Sequence, residues 1–240
     1  MNKIMLSIII PTLNEEKRLP LVLENLKKQT FQNFEIVVAD AGSADKTVEI
    51  AKSFGCIITN GGLPAKGRNE GAKVAKGDIF LFLDSDHIFI PNDFLEKLLK
   101  EFNRRNLDIA SFPISVRGNW FDGLVYWLYN NMVNSTQSFM AHAYSSALVR
   151  REIHEKIGGY DEKIKFAEDQ SYAKHAARVG KFGFINIEPV ITSLRRIERD
   201  GRFPLYSKCL WAGIYLIFIG DIKSDIFRYR FGYYSNEENK

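Results

Sequence analysis

The chain has 240 residues, 45% hydrophobic and 26% charged, an ordinary balance for a globular protein with one substantial core. Its net charge of +4 suits an anionic small substrate or an acidic membrane surface and is too small to argue for nucleic acid. The two cysteines, Cys56 and Cys209, stand far apart without a CxxC partner, which argues against a disulfide framework or a zinc cluster and fits a reducing compartment.

Leu6-Ser7-Ile8-Ile9-Ile10 is a compact β-branched run stopped by Pro11 and reads as a buried parallel strand. Residues 15–29 carry apolar side chains at 19, 22, 23 and 26, the spacing of one helical face. Residues 34–39 form the next strand, ending at Asp40; residues 41–44 make a turn, and Asp45 is placed to cap a helix through Phe54. A short strand at 56–59, the loop Asn60-Gly61-Gly62, a helix at 65–76 and an apolar strand at 78–83 follow. This β-α-β-α-β-α-β order with short connections predicts an α/β protein with a doubly wound, mostly parallel central sheet and helices on both faces. In such sheets ligands bind outside the carboxyl ends of the strands. Those ends here carry Pro11-Thr12, Asp40 and Asp84-Ser85-Asp86.

The second half is less regular. The pattern predicts a strand at 107–115, an aromatic-rich helix at 120–132 and a short strand at 146–149. A basic helix then ends at the Gly158-Gly159 turn, followed by a helix at 168–179 and a strand at 182–187. No repeat or linker marks a boundary, so residues 1–240 are expected to form a single domain. The polar residues 236–240 are expected to fray. The N-terminal apolar stretch is too short for a signal peptide. No run reaches the roughly 18 apolar residues of a spanning helix. The expected location is therefore cytoplasmic.

Asp84 and Asp86 follow an apolar strand, and two carboxylates so close repel each other unless a cation or donors lie nearby. All-oxygen ligation suits Mg2+ or Mn2+, with the remaining ligands taken from phosphate. A solvated turn capping the next helix accounts for the same triplet. Asp40 can accept a hydrogen bond from a base or ribose, or bond its own backbone. Thr12, Asn14 and Glu15 at the neighbouring strand end can cap the first helix and also touch a nucleotide. Lys66 and Arg68 open a helix whose N-terminus favours phosphate; an exposed basic face is the alternative. Glu168 and Asp169 open a later helix, where carboxylates serve as caps or as a general base. His87 and His142 are candidate ligands or acceptor contacts, each equally readable as structural.

In order and spacing these segments resemble the family 2 glycosyltransferases of the GT-A fold over roughly residues 4–190. The carrying pieces are Ser7–Glu16, Glu35–Thr47, Arg68–Ala72, Gly77–Asp86, Arg150-Arg151-Glu152, Gly158-Gly159-Tyr160-Asp161 and Glu168-Asp169. The resemblance implies a nucleotide-diphosphate sugar held by Pro11, Thr12, Glu15, Asp40 and Arg68. Asp84 and Ser85 would lie by the ribose and diphosphate, Asp86 on the metal with Asp84 beside it, and Asp169 with Glu168 would supply the catalytic base of an inverting direct displacement. It divides the chain into a nucleotide-sugar half, 1–115, and an acceptor half, 116–240, with a C-terminal helical region. The chain lacks the Gln-x-x-Arg-Trp of the family's longer membrane enzymes. It offers Arg195-Arg196-Ile197-Glu198-Arg199 instead, which argues against processive synthesis. Residues 203–222 are apolar with Trp211 and Tyr215; they suit a core or dimer-interface helix, or peripheral contact with the inner face of an anionic membrane that presents a lipid-linked acceptor. A homodimer and a glycan acceptor stay open. No GxGxxG follows the first strand, which speaks against a nicotinamide enzyme. A sugar nucleotidyltransferase or an inactive sugar-nucleotide-binding module is the remaining alternative.

Overall fold

The structure is a computed structural model that describes residues 6–144, 146–164 and 166–223. The first half alternates β1 (Leu6–Thr12), α1 (Leu19–Lys27), β2 (Phe34–Asp40), α2 (Thr47–Ser53), β3 (Ile57–Asn60), α3 (Pro64–Val74) and β4 (Ile79–Phe82). The second half continues with β5 (His87–Phe89), α4 (Phe94–Arg104), β6 (Ile109–Ser111), β7 (Ile114–Val116), α5 (Trp120–Thr136), β8 (Ala147–Arg150), α6 (Arg151–Lys156), α7 (Glu168–Ala176), β9 (Phe182–Phe184), β10 (Val190–Thr192), α8 (Arg195–Asp200) and α9 (Arg202–Phe218). Seven strands form the central sheet in the order β3-β2-β1-β4-β8-β6-β9, with β8 antiparallel to both neighbours and the other pairs parallel.

Burial on both faces explains the continuous apolar runs of the strands. Because side chains alternate along a strand, Leu6, Ile8, Ile10 and Leu81 meet one helical layer, built on Leu23 of α1 and Phe94, Leu98 and Phe102 of α4. Ile9, Val37, Phe80 and Phe82 meet the other, with Ala72 of α3, Ile153 of α6 and Tyr172 of α7. The expected α/β architecture with helices on both faces is the observed one.

Several local expectations are corrected. The helix expected from Glu15 starts at Leu19, because Asn14, Glu15 and Glu16 donate their backbone N–H groups to the side chains of Ser43, Thr47 and Asp45. Pro20 follows in the first turn, where its missing N–H costs nothing. Asp45 sits just outside α2, whose N-cap is Lys46, and accepts from the Thr47 N–H. The single strand expected at 107–115 is two strands in different sheets: β6 joins the central sheet, and after Pro113 the chain enters β7. The amphipathic α4 and a second sheet, β5-β10-β7, were not expected at all. Residues 236–240 lie outside the described residues.

Helix α3 reaches the sheet through glycine. A Cβ at Gly71 would collide with Cγ2 of Ile9, and one at Gly67 would stand 3.0 Å from Cβ of Pro11. Both lie on the face of α3 that presses on β1, and their spacing of four places them one turn apart. The close approach carries Arg68 into the interior, where it is 1% exposed. Gly71→Ala is therefore expected to destabilise the protein by about 1–3 kcal/mol in denaturant unfolding, as overpacking does. Gly123→Ala in α5, where the added Cβ meets nothing within 4 Å, should instead be neutral or stabilising by about 0.5–1 kcal/mol.

Candidate active site

The site grows from the carboxyl ends of β1, β2 and β4. Two strand-end loops are laced together: the Asn14 N–H donates to Ser43 Oγ (2.8 Å), the Ala44 N–H to Asn14 Oδ1 (2.8 Å), the Glu15 N–H to Thr47 Oγ1 (2.7 Å), and the Lys46 N–H to Glu16 Oε2 (3.2 Å). Asn14 accepts a left-handed backbone (φ 53°) to make this exchange, which asparagine tolerates better than most residues. Asp40 closes the same assembly. Its carboxylate accepts from Thr12 Oγ1 (3.0 Å), from the Gly42 and Ser43 N–H groups (2.9 and 2.8 Å) and from Ser43 Oγ.

Across from these loops, Arg68 ties three carboxylates together. Its Nη2 donates to Asp84 Oδ1 at 2.8 Å, and its Nη1 lies 3.0 Å from Glu168 Oε1 and 3.1 Å from Asp169 Oδ1. The guanidinium stands 5.2 Å from the Tyr160 ring centroid. Tyr160 in turn stacks on Tyr172 at 3.9 Å, and the Tyr172 hydroxyl hydrogen-bonds His154 Nδ1 at 2.9 Å. The acidic pair is aimed at Arg68 by Ala167, which adopts φ 58° immediately before α7. A β-carbon in that region is strained, and such strain persists where the surroundings over-determine it.

Burial pushes the Asp169 carboxyl up to about 8; Arg68 opposes the shift, while Glu168 and Asp84 add to it. Asp84 is also raised by burial, against Arg68. Asp86 goes the other way: despite burial, Arg196, His87, Arg195 and a Thr192 hydrogen bond hold it low. The small sheet makes this possible. Where β10 pairs with β5, the Ser193 N–H donates to the Asp86 carbonyl at 2.9 Å, and the chain continues directly into α8 with Arg195 and Arg196. Arg195 Nη1 also pairs with Glu15 Oε1 at 3.1 Å.

A cavity of about 790 Å³ collects these groups. Of the residues expected from sequence, Pro11, Thr12, Glu15, Arg68, Asp84, Ser85, Asp86, Glu168 and Asp169 all line it. Asn14, Asp40 and Lys66 do not: the first two are spent on the laced loops, and Lys66 is exposed beside Gly62 at the margin. His87 lies off the lining, fully buried with Nε2 2.9 Å from Ser146 Oγ, and His142 is buried as well. Sequence reasoning missed the cavity wall formed by Tyr144, Phe166 and, from α9, Leu205, Cys209 and Ala212. Only the apolar spacing of residues 203–222 hinted at it.

Four lining residues keep buried polar atoms without a hydrogen-bond partner: Arg68 Nε, Asp86 Oδ1, Gln170 Oε1 and Asp169 Oδ1, the last with its ion pair to Arg68 alone. Such atoms in a native cavity ask for a ligand or an ion. Among the described residues no three His, Cys, Asp or Glu side chains converge into a ready-made metal cage. The donor set is thus one or two carboxylates with an open oxygen on Asp86, which fits a Mg2+- or Mn2+-type ion that takes most of its ligands from water and phosphate.

The architecture is that of GT-A glycosyltransferases. The solved structures of Staphylococcus aureus TarS 1-349 in complex with UDP-GlcNAc (TM-score 0.63, 22% identity, 79% of this chain and 58% of that one) and of the mannosyltransferase PcManGT from Pyrobaculum calidifontis in complex with GDP-Man and Mn2+ (TM-score 0.63, 20% identity, 86% and 64%) share it. The Glycosyl transferase family 2 model matches residues 7–158, and the chain belongs to that family. An uncharacterized glycosyltransferase of Haemophilus influenzae is 30% identical over 179 residues, covering 70% of this chain and 60% of its own length. The chain spans between 40% and 60% of the length of three such relatives.

Two substitutions in this cluster should move stability in opposite directions. Arg68→Met leaves buried carboxylates facing one another and is expected to cost about 3–5 kcal/mol near neutral pH. Asp169→Asn should stabilise. An unfolded aspartate ionises near 3.9, so between about 4 and 8 the folded protein holds a proton that the unfolded chain has released, and wild-type stability falls as pH rises. The gain from Asp169→Asn therefore builds over that window and levels above about 8, as chemical denaturation at a series of pH values would read.

Proposed function

We propose that the chain transfers a sugar from a nucleotide-diphosphate sugar to an acceptor hydroxyl or phosphate by direct displacement with inversion. The observation that carries this reading is the division of labour among the carboxyls of one cavity. Asp169 is held proton-hungry by burial, while Asp86 is held ionised and keeps a buried oxygen without a partner. Acid–base and cation-binding roles need that separation.

In this reading the half spanning residues 1–115 holds the donor. Pro11, Thr12 and Glu15 flank the nucleotide, with Asp40 and Asn14 shaping the loops that carry them. Asp84 and Ser85 lie by the ribose and diphosphate. Arg68 neutralises the carboxylates around the leaving group and keeps Asp84 oriented. Lys66 at the margin and Arg195 and Arg196 on the wall add positive charge near the diphosphate. Asp86, with Asp84 beside it, would hold Mg2+ or Mn2+, which when bound supplies charge stabilisation to the departing diphosphate. The half spanning residues 116–240 receives the acceptor. Asp169 takes the proton of its hydroxyl, and Glu168, paired with Arg68, keeps Asp169 raised and in place. Relatives in complex with UDP-GlcNAc and with GDP-Man and Mn2+ support a donor of this class.

Turnover of UDP-, GDP- and dTDP-sugars with Mn2+ or Mg2+ tests the proposal, with donor binding followed by calorimetry. Asp169→Asn should lower kcat by about 10³-fold while donor Kd changes little. Wild-type kcat/KM should rise with pH through about 8, the range in which Asp169 loses its proton in the free protein. Asp86→Ala should abolish the metal dependence of donor binding. Full turnover in either variant, or no metal-dependent nucleotide-sugar binding in the wild type, overturns the reading.

A further inference from the structure

Helices α5 and α9 are tied together at their first turns and turn apolar faces outward. Asp122 of α5 is wholly buried and accepts from Arg202 Nε (3.0 Å) and Tyr206 Oη (2.8 Å) of α9. Asn119 completes a capping box with the same carboxylate. The inner faces of both helices are accounted for: Tyr126 packs with Ile197 and Leu205, and Leu205, Cys209 and Ala212 line the active-site cavity. The outer faces have no partner among the described residues. On α5 they carry Trp120, Leu124, Trp127 and Leu128, spaced i, i+4, i+7, i+8, which makes one continuous stripe. On α9, Phe203, Leu210, Trp211 and Phe218 recur at i, i+7, i+8 and i+15, again one stripe.

Three features choose an occupant. All three tryptophans of the chain sit on this face, Trp120 79%, Trp127 60% and Trp211 62% exposed. Tryptophan is the residue whose apolar ring and N–H suit the boundary between lipid headgroups and acyl chains. The charge is one-signed. Exposed Arg117 precedes α5 and Lys208 lies along α9, while Arg202 is matched by Asp122, which is buried and is the only carboxylate on either helix. Two copies of such a face repel each other, while an anionic lipid surface attracts it. Length excludes insertion across the bilayer: the 17 residues of α9 rise about 25 Å against a hydrocarbon thickness of about 30 Å, and no helix among the described residues is long and apolar enough to span.

We infer that the α5–α9 face lies on an anionic membrane surface, with the tryptophans at headgroup depth and the helices parallel to the bilayer. The cavity is then one helix diameter, about 10 Å, from the lipid, on the opposite side of α9. Docking of this kind does not depend on the transfer reaction. Its consequence for chemistry, that the acceptor resides in the membrane, does rest on the transferase reading.

The experiment mixes the full chain with vesicles of phosphatidylcholine alone or with added phosphatidylglycerol, and follows flotation, tryptophan emission and quenching by lipids brominated along their acyl chains. Because every tryptophan lies on the face, emission reports on it alone. The expected result is salt-sensitive flotation with the anionic vesicles only, a blue shift and brominated-lipid quenching. The double variant Trp127→Ser/Trp211→Ser should lose partitioning by about tenfold or more with unchanged circular dichroism, melting and nucleotide-sugar binding. Absence of flotation and of any emission change with anionic vesicles overturns the inference, as does wild-type partitioning by the double variant. A dimer in sedimentation that the double variant dissolves assigns the face to a second copy and also overturns it. Emission already blue and closed to iodide without vesicles assigns the face to the chain's own residues and does the same. Loss of turnover with vesicle binding intact would instead count against the transferase reading alone.

Discussion

One guanidinium holds the site together. Arg68 is nearly inaccessible, 1% exposed, yet it contacts carboxylates from two separate parts of the chain, Asp84 after β4 and Glu168 and Asp169 at the start of α7. A charge so deep is tolerable only when it is paired, and arginine cannot shed its proton to escape the cost. The carboxylates face the converse problem and are tolerable only around Arg68. Each side makes burial of the other possible, and the glycines that let α3 sink onto β1 deliver the arginine to its place. The aromatic stack of Tyr160 on Tyr172 then walls off one side of the guanidinium.

The same arrangement explains why neighbouring acids differ. For Asp169, heavy burial and two nearby acids outweigh Arg68, which it shares, and the weaker pull of Arg196, so its proton is retained well beyond the usual carboxylate range. Asp86 is as buried, but Arg195 and Arg196 are brought against it by the β5–β10 pairing, and it stays ionised. Environment alone separates two aspartates of identical intrinsic acidity, which is the pattern expected where one group is to move a proton and another to hold a cation.

Around this centre, residues of functional appearance do mechanical work. Asn14, Asp40, Ser43 and Thr47 lace the ends of β1 and β2 into one edge, on which Pro11, Thr12 and Glu15 stand at the cavity wall. Asp122 does comparable work at the other end, fixing α9 as the partition between the cavity and the outer apolar face. In both places a polar side chain is buried or half-buried because its hydrogen bonds are complete.

Much of this was legible in the chain itself. The β-branched runs ending at Pro11, Asp40 and Asp84 are patterns of local period and punctuation, so the parallel sheet, its helices on both faces and the rim bearing the acidic triplet could be read directly. The acidic pair Glu168-Asp169 and Arg68 were legible as candidates, since charged residues at helix starts are a local signal. Their mutual contact was not, because 100 residues separate Arg68 from Glu168 and only packing of α3 on β1 brings them together. Strands of three residues such as β5, β7 and β10 carry too little period to stand out, and their pairing is a long-range event. The sequence by itself determined the kind of fold and the chemical groups available, because alternation and composition are local. The tertiary structure decided which of those groups share a cavity, which are bound up in scaffolding and which aspartate keeps its proton, because burial and distant charge set those outcomes.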